Sequence, residues 1–214
     1  MLKRNGWTRG RIALREWLPV IVLMCCTFVF NTSEFIPIGL LSDIAADFGI
    51  TEARAGLLIT VYAWVVALVS LPLMLAVARM ECRRLMLGGL GLFLASHVLS
   101  GLSSSYAMLM ASRIGVACAH AVFWSIVSPL AVRVAPKGAQ SAALGLIITG
   151  TSIAMIVGLP LGRVIGLYVG WRTTFFFIAA VAAAVWLFLA AIFPRVPSRD
   201  TISLRKVPSL LGNP

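Results

Sequence analysis

Glu34 and Arg113 carry charge well inside long apolar stretches of this sequence. A carboxyl beside a guanidinium at such depth has two uses. It can bind and release a proton, because whatever parts the two groups changes how readily the carboxyl ionises. It can equally be a fixed ion pair that ties two helices together. A charge at mid-membrane costs about 2.5–3.5 kcal/mol on insertion scales, so neither use is idle. His120 follows Arg113 by two helical turns, and positions 113, 117, 120 and 124 share one helix face that includes Trp124. His120 and Trp124 are either ligand-binding groups or packing and lipid-facing residues, and His97 is assigned to packing. Covalent catalysis is not expected, since Ser125 has no neighbouring base and no serine occupies a Gly-x-Ser-x-Gly turn. No phosphate loop or nucleotide fingerprint is present.

These groups need elements to position them, and composition says of what kind. A 214-residue chain that is 60% hydrophobic and 12% charged lacks the polar surface a water-soluble domain must show. It is a membrane protein. Its net charge of +11 sits in short clusters between apolar runs, as flanking charges of membrane helices do, so nucleic acid is not an expected partner. Residues 17–41, 54–78, 85–102, 107–132, 139–165 and 173–193 form six stretches near the roughly 20 residues that a crossing helix needs. The expected organisation is a basic tail over 1–16, a six-helix bundle over 17–193, and a linker over 194–214 that stops before a seventh helix. No small-residue cleavage site follows the first run, which is therefore a span and not a secretory signal. At about 1.5 Å per residue, Glu34 and Arg113 both lie about 10 Å below the same boundary and could pair.

Arg79, Arg83, Arg84, Arg133, Lys137, Arg195, Arg199, Arg205 and Lys206 fall on the side of the basic N-terminus, which marks that side as cytoplasmic. Both termini are expected there. The opposite side holds Arg54 and Arg172 with the acidic Asp43, Asp47 and Glu52. Arg172 is expected to anchor the loop on that side. Trp7, Trp17, Trp171 and Trp186 are expected at interfaces or against lipid. Cys25, Cys26, Cys82 and Cys118 lie in spans or at the cytoplasmic face and outline no disulfide or metal framework.

Val69-Ser-Leu-Pro-Leu73 recurs as Val157-Gly-Leu-Pro-Leu161, and the offset that maps Pro72 onto Pro160 also carries Arg84 onto Arg172. The first copy lies at the inner end of an inward-running helix and the second at the outer end of an outward-running one. Two inverted three-helix units follow. The alternative is a pair of unrelated prolines that loosen helix ends. Gly158, Gly162, Gly166 and Gly170, at steps of four, form a small-residue face that another helix can approach closely. That helix is expected to come from outside this chain.

Gly158-Leu-Pro-Leu-Gly-Arg163 and Gly170-Trp-Arg-Thr-Thr-Phe175 resemble the fifth-helix motif and following loop of the drug:H+ antiporter branch of the major facilitator superfamily. Asn31-Thr-Ser-Glu-Phe-Ile-Pro-Ile-Gly-Leu-Leu-Ser-Asp43, Tyr62-Ala-Trp-Val-Val-Ala-Leu68 and Ser112-Arg-Ile-Gly-Val-Ala-Cys-Ala-His-Ala-Val-Phe-Trp-Ser125 are similar to bacterial sugar efflux transporters of the SotB type. The likeness runs from about Trp17 to about Pro208. It departs at the loop after the second helix, where Arg79 stands in place of the motif's usual aspartate and only Arg83-Arg84 is clearly kept.

The resemblance implies an all-α membrane protein of six transmembrane helices in two inverted three-helix repeats, the N-terminal half of the twelve-helix major facilitator fold, in the bacterial inner membrane. It implies proton-coupled efflux of sugars or sugar analogues by the complete protein. A multidrug or nucleoside exporter is the alternative, as is a non-transporting fragment or half-subunit that needs a separate C-terminal six-helix half. Arg113 takes the place of the fourth-helix arginine tied to proton coupling, and Glu34 that of the first-helix acid. Sugar hydroxyls and the apolar ring face would be met by Asn31, His120 and Trp124, with Tyr62, Thr149 and Thr151 as lesser candidates. Arg79, Arg83, Arg84, Gly158, Pro160, Gly162 and Arg172 would gate or brace the bundle. The proton is the coupling ion, and no cofactor, metal or catalytic residue is expected. The expected partners are a small-molecule substrate, the lipid bilayer and the second half.

Overall fold

The structure, a computed structural model, describes residues 5–77 and 80–197, with side chains from Leu14 onward. Arg79, given a gating role above, lies outside the described residues, as do Arg199, Arg205 and Lys206.

Hydrocarbon offers the backbone no hydrogen-bond partners, so apolar runs of this length close their own bonds as helices. The elements are α1 (Asn5–Gly39), α2 (Leu41–Phe48), α3 (Glu52–Val77), α4 (Cys82–Gly101), α5 (Tyr106–Val134), α6 (Gln140–Ile153), a π-helical turn (Ala154–Gly158), α7 (Leu159–Val169) and α8 (Trp171–Ile192). Among the described residues six spans result, because α6, the π turn and α7 form one continuous crossing over Gln140–Val169, whereas α2 is a short helix between the first two spans. The fifth span runs past the expected residue 165. Pro160 does not end it, because the wider turn just before sets that proline in the first turn of α7, where a missing N–H breaks no helical bond.

The connections are short and locally stabilised. Gly49, at φ 61°, ends α2 in the left-handed conformation that glycine adopts without strain. The Ser105 hydroxyl accepts from the Met108 N–H at 3.2 Å and caps α5. A single residue, Gly170 at φ 95°, reverses the chain between α7 and α8. The chain ends alternate between two faces. One carries Asp43, Asp47 and Arg172 and is called the acidic face; the other carries Arg83, Arg84 and Arg133 and is called the basic face.

The first and fourth spans are the heart of the bundle: 61% of the most apolar stretch of each is buried, against 11% for the second. Trp64, Leu68, Leu71 and Leu75 of α3 are exposed, as are Met155, Ile156 and Val157 around the π turn. The glycine face of the fifth span, expected to meet a helix from outside, meets α1 instead. A side chain at Gly158, Gly162 or Gly166 would run into Thr32, Ile36 or Leu40 respectively. Those three partners also recur every fourth residue, so one helix's ridge fills the other's groove. Gly170 leaves the ladder to form the turn. Trp171, expected near lipid or an interface, is buried between Phe48 and Phe175 at ring distances of 5.7 and 5.9 Å.

Candidate functional site

Arg113 and His120 of α5, Tyr62 of α3 and Glu34 of α1 converge, and Asn31 lies about one turn before Glu34 on α1. Arg113 is only 1% exposed. Its guanidinium carbon stands 4.8 Å from the centre of the Tyr62 ring, a cation–π arrangement that offsets some of the cost of burying the charge. Tyr62 packs edge-on against His120 at 5.4 Å. His120 in turn meets Phe30, whose ring stacks on Phe123 at 4.1 Å.

The expected direct pair of Glu34 with Arg113 does not form. The ionisable partner nearest Glu34 is His120, with Nε2 to Oε2 at 4.0 Å, while Arg113 lies against the tyrosine face. Both groups come to one region of the bundle, but rotation about each helix decides which side chain each one touches. The cluster also holds unspent hydrogen-bonding capacity: Arg113 Nε and Nη1, Tyr62 Oη and Asn31 Oδ1 are buried without partners. Buried polar groups are seldom left so, which makes this a place for a ligand or water. Glu34, with 33% of its side chain exposed, is the member that a solute can reach.

Other candidates stand apart. Thr149 and Thr151 are not drawn into the cluster; their hydroxyls donate to Gly145 O at 2.8 Å and Ile148 O at 2.6 Å on their own helix. Trp124 is half-buried, edge-on to Phe123 at 5.3 Å. His97 is fully buried and touches α1 through Ser33.

The two faces are laced by arginines. On the acidic face Arg172 meets Asp47 at 2.7 Å, donates to Ser103 O at 3.0 and 3.2 Å, and lies 4.2 Å over the Trp171 ring. On the basic face Arg83 donates to Ala190 O at 2.5 Å and Arg133 to Pro197 O at 2.8 Å. Arg84, the sequence counterpart of Arg172, is 80% exposed and meets only its neighbour Glu81, at 3.4 Å. Arg83 therefore plays that part instead. An ion pair that sequence reasoning passed over joins Arg163 of α7 to Asp43 of α2. Its signal was available: Asp43 and Asp47 are one turn apart on the same face of α2, and Arg163 and Arg172 lie near the end of the fifth span and the start of the sixth on the same side.

The six-span bundle of the described residues has counterparts of similar fold among solved structures. Three solved transporters superpose on it. A bacterial homolog of the human lysosomal transporter Spinster, inward-facing and unoccupied, aligns with a TM-score of 0.70 at 19% identity, over 89% of this chain and 46% of that one. The peptide transporter POT in complex with sulfate gives 0.73 at 12%, over 92% and 43%. A POT family transporter in complex with a thioalcohol conjugated peptide gives 0.70 at 16%, over 92% and 43%. At these identities the likeness is one of fold, and the chain spans less than half the length of the transporters it matches. The family model for the Major Facilitator Superfamily, however, matches residues 23–210, most of the sequence, and on that match the chain belongs to the Major Facilitator Superfamily.

Proposed function

We propose that this chain forms the first six-helix bundle of a transporter that exports sugars or sugar analogues across the bacterial inner membrane in exchange for protons, with both termini cytoplasmic. Alternating access needs two bundles that rock about a site between them, so the activity belongs to this bundle together with a second one. One observation carries the reading: Glu34 is a reachable carboxyl within a span, beside His120 in the cluster that also buries the charge of Arg113. Proton uptake on Glu34 changes the charge of the pocket by one unit, and substrate that displaces the proton, or the reverse, couples the two flows. Asn31 and Tyr62 supply hydrogen-bonding groups for hydroxyls, Trp124 an aromatic plane, and His120, whose ring nitrogens face Val116 O and Phe30 O, shapes the wall beside them. The sequence likeness to sugar efflux transporters of the drug:H+ antiporter branch favours sugars over lipophilic cations.

The test uses everted vesicles from bacteria expressing the natural gene, with a pH-sensitive acridine dye reporting an acid lumen. Neutral monosaccharides and disaccharides should discharge the gradient, and Glu34→Gln should abolish the response. Discharge by lipophilic cations and not by sugars would replace the substrate class. Sugar-driven discharge that persists in Glu34→Gln would remove the proton assignment.

A further inference from the structure

His97 makes a bond that the fold does not need for its own helix. Its ring is fully buried, 4.2 Å from Phe93 and 6.1 Å from Phe175. Nδ1 faces Phe93 O at 2.9 Å. A carbonyl only accepts, so in the neutral ring Nδ1 carries the proton and donates. Nε2 is then left as an acceptor, and the Ser33 hydroxyl donates to it at 2.7 Å. Several span hydroxyls turn back on their own helix, Thr27 donating to Leu23 O, Ser125 to Ala121 O and Thr149 to Gly145 O, whereas Thr174 reaches Gly162 O and Ser100 meets Ser112 across helices. Ser33 commits its proton to a different helix.

Ser33 immediately precedes Glu34. Successive side chains on a helix are about 100° apart, so holding Ser33 toward α4 sets the direction in which Glu34 leaves α1. The same turn is gripped from the other side, where His120 Nε2 faces Phe30 O at 3.0 Å, four residues before Glu34. We infer that His97 is a positioning residue for Glu34: through Ser33 it fixes the rotation of α1 so that the carboxyl stays beside His120 and Arg113. This rests on Glu34 being the proton site. The titratable or charged groups that face Glu34 are His120 and Arg113 from α5 and Tyr62 from α3, and His97 acts on it only through the backbone of α1.

Infrared spectroscopy of the whole chain in lipid vesicles can read the Glu34 carboxyl directly, as the protonated carboxyl band that Glu34→Gln removes. Ser33→Ala and His97→Leu should each move the midpoint at which that band titrates by about half a pH unit or more, the scale of one lost hydrogen bond. Ser33→Thr, which keeps the hydroxyl, should titrate as the native chain does. A purely structural role would lower thermal stability and leave the midpoint in place. Native midpoints in both Ser33→Ala and His97→Leu, or a shift in Ser33→Thr equal to that in Ser33→Ala, would overturn the inference. Loss of no band in Glu34→Gln is a separate outcome: it would remove the proton site itself, and the positioning role with it.

Discussion

Arg83 and Arg172 make the same bond at opposite ends of one antiparallel helix pair. Each is the second residue of its helix, α4 for Arg83 and α8 for Arg172. Each donates to a carbonyl at the far end of the other helix, Ala190 and Ser103 respectively. The inverted repeat is thus visible as chemistry, with the two halves of the clasp on the basic and acidic faces. Carbonyls near a helix C-terminus lack intrahelical partners, and a guanidinium satisfies them while complementing the helix dipole.

Removal of either clasp should loosen α4 from α8. Arg83→Ala and Arg172→Ala are each expected to cost about 1–3 kcal/mol, as charge-assisted bonds to carbonyls do. Arg84→Ala should stay within about 0.5 kcal/mol, because an exposed pair to a near neighbour contributes little. Thermal unfolding in detergent, followed by tryptophan fluorescence, orders the three. Equal losses for Arg83→Ala and Arg84→Ala would reassign the clasp to the sequence-paired residue.

The approach of the fifth span to α1 should respond to added methyl groups in a definite order. A Cβ at Gly150 would stand 2.7 Å from the backbone carbonyl of Met24, which cannot move aside, and one at Gly158 would overlap the short, branched Thr32. Those at Gly162 and Gly166 would meet only the swinging ends of Ile36 and Leu40. Gly150→Ala and Gly158→Ala should therefore destabilise by about 1–3 kcal/mol, and Gly162→Ala and Gly166→Ala by less. Adding Thr32→Ala to Gly158→Ala should recover part of the loss. A flat response across the four glycines would mean that α1 and the fifth span are not in close contact.

The Asp43–Arg163 pair should behave as a partly solvated tie between α2 and the fifth span on the acidic face. Both side chains are more than a third exposed, at 35% and 37%, so Asp43→Asn is expected to cost about 1 kcal/mol or less, and less still in high salt. The exchange Asp43→Arg with Arg163→Asp should restore what either single change loses. Melting temperatures of the four variants at low and high salt test this; additive losses in the double variant would show that the two residues do not act together.

Much of the bundle was legible from the sequence. Six spans, their alternation and the grouping of arginines at the two faces follow from hydropathy and charge. The fifth span, expected over 139–165, runs on to Val169, and the π turn within it leaves no mark in hydropathy. Thr149, a lesser candidate from sequence, bonds its own helix, and a hydroxyl's choice between its own backbone and another group is invisible in composition.

For this chain the sequence alone determined that it belongs in a membrane, that its described residues hold six spans, and that Glu34 and Arg113 lie within two of them. Those quantities depend on the cost of placing polar groups in hydrocarbon and on a fixed rise per residue. Only the tertiary structure decided that Arg113 lies against Tyr62 and Glu34 beside His120, that the glycine ladder receives α1, that Arg83 is the counterpart of Arg172, and that His97 reaches Ser33. Such contacts depend on the rotation of each helix about its axis, and that rotation is set by the packing of all six helices together and by no single stretch of sequence.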